Sequence, residues 1–325
     1  MSSLISMISS VYPPILTAVI AGFLLSRLLK STGSTRAEKV RNQLPNFLSK
    51  FLLTVGIPIS IANFIRGAEL SANAWIAPAT AWVAMLVAIG FSSILLCEDK
   101  ALRTQTRRSF LLSSYLGNTS NIGFPVVLLL PQLGEYYFGY AVVYDIFGTI
   151  LGAYGLGAWI ANRGRERQTE SIKSIANNVA SLLVKSPSLI AFAIGILLKS
   201  VALPDPVIWS LNTFSWSCIM LSLLTMGMRT EQLTSRGDLS LAVKAVSIKM
   251  LAVPLIIGAL LTAFGIDGPE RLTLVLQAGM PCAFAALVLT ENFGLDRNLA
   301  VKCLLISNIM LLITLPIWVF LFLSW

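Results

Sequence analysis

Long apolar segments separated by short polar connections run through the whole chain. Ten of these segments are close to the roughly 20 residues that a helix needs to cross a bilayer. We therefore predict an all-α integral membrane protein with ten transmembrane helices. The ten predicted spans cover about residues 11–29, 46–65, 74–97, 109–133, 138–161, 187–202, 206–228, 241–263, 270–290 and 299–323.

The fourth predicted span is interrupted by polar residues, two glycines and a proline. Pro125 has no N–H to donate to the carbonyl of Asn121, so we expect the helix to break just before the proline. Non-helical backbone at membrane depth survives only where protein or a water-filled cavity surrounds it. The pattern predicts two half-helices that meet at an unwound stretch. The interruption reads Gly117-Asn118-Thr119-Ser120-Asn121-Ile122-Gly123-Phe124-Pro125.

The ninth predicted span contains a similar interruption, Leu276–Pro281. When the two interruptions are aligned at their prolines, Gly123 corresponds to Gly279 and Asn121 to Gln277. Interrupted spans at corresponding places in two halves of a chain indicate a transporter binding site. The alternative is that both are ordinary kinked helices, because proline and glycine are common in membrane spans.

The basic residues are distributed unevenly between the two sides of the predicted membrane. Of the 24 lysines and arginines, 21 lie in or beside the connections that follow spans 1, 3, 5, 7 and 9. The positive-inside rule makes these connections cytoplasmic and places both termini outside. We interpret the net charge of +9 as topology with some contact to anionic lipid, and not as a nucleic-acid surface. The three basic residues on the other side are Arg66, Lys199 and Arg271.

The polar connection at 162–186 divides the chain into two halves of five spans each, 1–161 and 187–325. Because five is an odd number, the second half enters the membrane from the side opposite to the first. The predicted fold is therefore a 5+5 inverted repeat with two broken, crossing helices.

The inverted arrangement would bring two helix N-termini together near mid-membrane, one from each broken span. Helix N-termini carry partial positive charge and free N–H groups, so they favour anions and can bind a carboxylate directly. The alternative is that Asn118 and Asn121 only cap the broken backbone. The candidate substrate-binding residues are Asn118, Thr119, Asn121, Gly123, Pro125, Gln277, Gly279, Met280 and Pro281.

Asp145 is the only acidic residue well inside a predicted span. A charged carboxylate there costs about 2.5–3.5 kcal/mol on insertion scales, so we consider it a candidate for coupling transport to protons. The alternative is a structural residue that is hydrogen-bonded to a neighbouring span. Gly148 and Gly152 lie on the same helix face and predict close approach of another helix.

Composition excludes several other classes of protein. Hydrophobic residues make up 56% of the chain and the mean hydropathy is +0.79, which is too apolar for a soluble protein of this size. There is no histidine, and no two of the four cysteines form a Cys-x-x-Cys pair, so zinc sites and Ser-His or Cys-His catalysis have no support. No nucleotide-binding glycine motif occurs either. We predict no enzyme activity, no cofactor and no metal.

The two breaks resemble the crossovers of the auxin efflux carrier family. Gly117-Asn118-Thr119 with Gly123-Phe124-Pro125 is similar to its first crossover, and Gln277–Pro281 to its second. Gly56-Ile57-Pro58 and Ser307 with Thr314-Leu315-Pro316 are similar to motifs in two further spans.

This resemblance implies elevator-type export or exchange of weak organic acids without ATP. It also implies a scaffold of spans 1, 2, 6 and 7 and a mobile domain of spans 3–5 and 8–10. The short central connection favours a bacterial-type member in the inner membrane. Bile-acid sodium symporters share the crossed-helix architecture, so sodium-coupled symport of organic anions stays open, as do a non-transporting membrane sensor and a homodimeric assembly.

Overall fold

The computed structural model describes residues 2–70, 72–98, 101–162, 186–235 and 237–323, and these residues form helices but no strands. Most of the predicted central connection therefore lies outside the described residues. The helices are α1 Ser2–Ser31, α2 Thr35–Gly67, α3 Ile76–Glu98, α4 Thr104–Tyr115, α5 Thr119–Leu129, α6 Phe138–Asn162, α7 Pro187–Ser200, α8 Asp205–Gln232, α9 Ser240–Ala263, α10 Gly268–Ala278, α11 Phe284–Asn292 and α12 Arg297–Leu323.

Seven of these helices are long and apolar enough to cross a membrane, namely α1, α2, α3, α6, α8, α9 and α12. The predicted fourth span is divided into α4 and α5, and the predicted ninth span into α10 and α11. Many large apolar side chains are exposed, and Phe264 is 79% exposed. Such a surface is costly in water and is what a bilayer solvates.

Prolines explain much of the irregularity within the helices. A π turn at Leu52–Gly56 ends two residues before Pro58, and one at Ile248–Ala252 ends two residues before Pro254. A third, at Thr119–Gly123, ends two residues before Pro125. Proline removes one helical hydrogen bond, and a single wide turn next to it lets the helix continue.

The described residues divide into two compact units. The first unit comprises those within Met1–Glu69, Phe124–Val142 and Val184–Thr234. In this unit α1 and α8 pack closely through two glycines. A side chain on Gly22 would overlap the carbonyl of Leu224, and one on Gly227 would overlap the carbonyl of Val19. These contacts are backbone against backbone, so neither helix can yield by a rotamer change.

Gly227→Ala is therefore expected to destabilise the protein by about 1–3 kcal/mol through overpacking. The measurement is the thermal unfolding midpoint of the detergent-solubilised protein. Gly90→Ala is the matched control, because a Cβ at Gly90 meets no atom within 4 Å. Alanine is the better helix former by about 0.5–1 kcal/mol, so the control should be neutral or stabilising. Equal midpoints for the two variants would contradict the packing of α1 on α8.

The second unit comprises the described residues within Leu70–Gly123, Val143–Leu183 and Ser235–Trp325. In this unit α6 packs on α3 through the two predicted glycines. A side chain on Gly148 would overlap Ala81, and one on Gly152 would overlap the sulfur of Met85. The predicted close approach of a neighbouring helix at these glycines is confirmed.

The division into units differs from the one that the resemblance implies. The implied mobile domain contains all of spans 4 and 5. In the structure, Phe124–Val142, which contains the end of α5 and the start of α6, belongs to the first unit with the helices of spans 1, 2, 6 and 7. The first half of the broken span belongs to the second unit.

Candidate functional site

The two interrupted segments of the second unit pair through their backbones, and we name the place where residues 116–118 meet residues 281–283 the crossing. Gly117 lies opposite Cys282 in an isolated antiparallel bridge. The N–H of Asn118 donates to the carbonyl of Pro281 at 2.7 Å, and the N–H of Ala283 donates to the carbonyl of Leu116 at 3.0 Å. These bonds satisfy backbone groups that the helices leave unpaired, as unwound chain inside a membrane protein requires.

The crossing lies earlier in the first interruption than the proline predicts. Helix α4 ends at Tyr115, and α5 resumes at Thr119 with a π turn, so Pro125 lies inside α5. The regular helix does break before Pro125, but its unwound residues, 116–118, lie seven to nine positions earlier, and a π turn occupies most of the interval. Pro281, in contrast, lies in the extended stretch before α11. The alignment of Gly123 with Gly279 therefore does not describe the crossing.

The polar residues of the first segment are connected by short-range hydrogen bonds. The amide nitrogen of Asn121 lies 3.2 Å from the side-chain oxygen of Asn118, to which it donates. The side-chain nitrogen of Asn118 is buried and has no partner among the described residues. Asn118 therefore retains an amide donor that the described protein atoms do not use.

Gln277 in the last turn of α10 is 0% exposed, and neither its amide oxygen nor its amide nitrogen has a partner among the described residues. Its amide lies against Gly123, where a Cβ would come within 2.6 Å of the Gln277 oxygen. A buried polar group without a partner costs about 1–3 kcal/mol. Such a group in a native protein requires an explanation, and a ligand is one.

Asp145 is hydrogen-bonded to the residue next to the crossing. Its carboxylate accepts a hydrogen bond from the hydroxyl of Thr119, the first residue of α5, and both side chains are buried. Asp145 begins a π turn, Asp145–Ile150, within α6. The only acidic residue predicted deep in a span is thus joined to the residue that follows Asn118.

The profile of a protein family described as membrane transport protein matches residues 13–319, almost the whole chain. The chain belongs to this family. The predicted resemblance to the auxin efflux carriers is thereby confirmed. Membership makes the chain a multi-pass membrane protein of a transporter family, in agreement with its long apolar helices.

Two archaeal proteins are similar to this member of the membrane transport protein family. An uncharacterized transporter of Methanothermobacter thermautotrophicus is 23% identical over 305 residues, which cover 93% of this chain and 95% of the relative. An uncharacterized transporter of Methanocaldococcus jannaschii is 25% identical over 223 residues, which cover 67% of this chain and 69% of the relative. Both names describe transporters and not enzymes.

The remaining predicted site residues of this family member, Gly279, Met280, Pro281 and Pro125, are also buried. A Cβ on Gly279 would lie 3.3 Å from Pro254 and from the indole nitrogen of Trp318. Met280 and Pro281 are buried in the extended stretch. Pro125 belongs to the first unit, whereas the other eight substrate-binding candidates and Asp145 belong to the second.

Lys249 is a buried residue at the crossing that is not among the site residues predicted from the sequence. The positive-inside count assigns it to the connection after the seventh span, but it lies in the middle of α9 and is 3% exposed. Its ammonium donates to the carbonyl of Ala278 at 2.8 Å, where α10 ends. A charge within a span indicates function, and by this criterion Lys249 is a candidate in the same way as Asp145.

Residues of α12 hold the second segment in place. The hydroxyl of Ser307 accepts from the N–H of Cys282 at 3.1 Å. The indole N–H of Trp318 donates to the carbonyl of Met250 at 3.2 Å, within the π turn that contains Lys249. Serine at 307 was part of the family resemblance, and the structure gives it a contact with the crossing.

Proposed function

We propose that this chain is a secondary carrier of small organic anions, whose carboxylate binds at the crossing of the two interrupted segments. The observation that carries the proposal is the fully buried amide of Gln277, which has no partner among the described residues. Asn118, whose backbone N–H pairs with Pro281, supplies a second unused amide donor. The proposed reaction is export or exchange of weak carboxylic acids, whose carboxylate these donors can bind.

The chemistry of binding follows from the donors. A carboxylate accepts hydrogen bonds only, and amide N–H groups donate them. Hydrogen bonds to a charged group contribute about 1.5–3 kcal/mol each, more than bonds between neutral groups. A ligand carboxylate at Gln277 and Asn118 would also remove the cost of leaving their N–H groups unpaired. The oxygen of Gln277 can accept from a hydroxyl or amine on the same substrate.

We further propose an elevator mechanism within a fold of ten spans in an inverted repeat. In this mechanism the domain of spans 3–5 and 8–10, most of which lies in the second unit, would carry the substrate across the membrane. What supports this is that all substrate-binding candidates except Pro125 belong to that unit. A carboxyl group that can be protonated, Asp145, is in the same unit and contacts the crossing through Thr119.

The proposed topology places both termini outside the cell, in a bacterial inner membrane. With Lys249 removed from the count, 20 of the remaining 23 lysines and arginines still lie on the predicted cytoplasmic side. We expect alkaline phosphatase fused at the C-terminus to be active and green fluorescent protein fused there to be dark. The reverse pattern is expected for fusions after Ala101, which lies in an odd-numbered connection. A fluorescent C-terminal fusion would contradict the inverted repeat.

The proposed function is tested by uptake into proteoliposomes that contain the purified protein. Labelled acetate, phenylacetate, succinate and malate are supplied with no gradient, a pH gradient or a sodium gradient. A carrier of organic anions moves at least one of them faster than protein-free liposomes do. Uptake that requires sodium would favour the symporter alternative, and saturable binding without flux would favour a sensor.

A further inference from the structure

We propose that Lys249 is a specificity-determining residue of the carrier, supplying the fixed positive charge that selects carboxylates over neutral analogues. This inference rests on the proposed function and adds a residue to its site. Its basis is the position of one buried ammonium at the crossing of the two interrupted segments.

The ammonium of Lys249 lies between the two segments. It donates to the carbonyl of Ala278, the last residue of α10, at 2.8 Å. On its other side is Gly117, where a Cβ would lie 3.0 Å from the Lys249 nitrogen and 3.1 Å from Cε. A side chain at Gly117 would require the end of the Lys249 side chain to shift by a few tenths of an ångström.

Within the described part of the chain, no acidic side chain forms an ion pair with Lys249. The ion pairs found there all involve arginines. An ammonium has three protons to donate, and the Ala278 carbonyl accepts one of them. A buried charge is expected to be paired or to bind something of opposite charge. Lys249 thus has both the charge and the spare donors for an anion.

Two further donors adjoin the residues that Lys249 touches. Gln277 precedes Ala278, and Asn118 follows Gly117. Both have a buried amide nitrogen without a partner among the described residues. The residues next to the contacts of Lys249 thus add two amide donors to its ammonium, and such donors suit a carboxylate better than a neutral carbonyl compound.

Capping of α10 is the competing explanation for Lys249. A cation near the C-terminus of a helix is stabilised by the helix dipole, and Ala278 is at that terminus. A cap would affect stability and would not distinguish a carboxylate from an amide. Discrimination between these two ligands is therefore the decisive readout.

The experiment measures uptake of a labelled carboxylate into proteoliposomes and compares phenylacetate with phenylacetamide as competitors. The other carboxylates named above are tested as competitors in the same assay. Lys249→Met, which removes the charge at similar length, is expected to weaken inhibition by the carboxylate by about tenfold or more. Inhibition by phenylacetamide should change by less than about twofold. Lys249→Arg, which keeps the charge, should retain most of the preference for the carboxylate.

Lys302→Met is the matched control. Lys302 is a second buried lysine of this unit, and its ammonium also donates to a backbone carbonyl, that of Asp238, at 2.6 Å. The control should keep the wild-type preference for carboxylate over amide. If Lys249→Met does not fold, Lys249→Gln keeps a donor for Ala278 without the charge and allows the same comparison.

The outcomes separate the two proposals. The role of Lys249 would be overturned if Lys249→Met kept the preference for carboxylate over amide, or if inhibition by the carboxylate and by the amide weakened equally. Either result would leave the proposed carrier function intact. If the wild-type protein transports none of the four carboxylates, the proposed function itself fails, and the role of Lys249 fails with it.

Discussion

Gln277→Leu is expected to lower the affinity for a carboxylate substrate by about tenfold or more without destabilising the protein. The wild-type amide is fully buried, and neither of its polar atoms has a partner among the described residues. Leucine fills a similar volume and removes two polar atoms whose burial costs about 1–3 kcal/mol when they are unpaired. The variant should therefore unfold at the same temperature as the wild type or higher. Substrate competition in proteoliposomes gives the affinity.

Thr273→Val is the matched control for Gln277→Leu. Thr273 is equally buried and lies one turn earlier in α10, but its hydroxyl already donates to the carbonyl of Pro269 at 2.8 Å. This control should transport with wild-type affinity. Asn118→Ala should weaken binding in the same way as Gln277→Leu. If Gln277→Leu and Asn118→Ala both fold and bind substrate with unchanged affinity, the substrate site is elsewhere.

Asp145→Asn is expected to reduce substrate accumulation driven by a pH gradient by about tenfold or more, while exchange of substrate across the membrane continues. Asparagine keeps the size of the side chain and an oxygen that can accept from Thr119. It cannot take up or release a proton. In the proposed cycle the Asp145 carboxylate accepts a proton from one side and loses it to the other, and Thr119 links that change to the crossing.

The measurements for Asp145 are gradient-driven uptake and counterflow in the same proteoliposomes. Asp205→Asn is the matched control, because Asp205 is exposed in the first turn of α8. It should behave as the wild type in both assays. A purely structural Asp145 predicts a different pattern, in which Asn is fully active and Ala unfolds the protein. An Asp145→Asn variant that still accumulates substrate against a pH gradient would remove Asp145 from the mechanism.

The presence of the two interruptions could be predicted because glycine, proline and amide side chains are costly inside apolar helices. Their pairing could not, because the prolines do not mark the crossing. Pro125 is accommodated in α5 by a π turn, whereas Pro281 lies in extended chain. The residues that pair are Gly117 and Cys282. A cysteine within an apolar run does not indicate that the backbone is unwound there.

The side-chain contacts of Asp145 and Lys249 could likewise not be predicted from the sequence. The depth of Asp145 in a span is visible in the sequence, but its contact with Thr119 depends on how α6 packs in the second unit. Lys249 is ten residues into α9, close enough to the end of a predicted span to be counted with a connection. Only the structure shows that its ammonium reaches the end of α10.

The most direct test of the central claim is a structure of the protein with its best-transported carboxylate bound, determined by electron microscopy in lipid nanodiscs. The account predicts ligand density at the crossing, with a carboxylate oxygen about 3 Å from the side-chain nitrogen of Gln277. The amide nitrogen of Asn118 should be in the same range. Ligand density away from the crossing, with Gln277 still unpaired, would contradict the account.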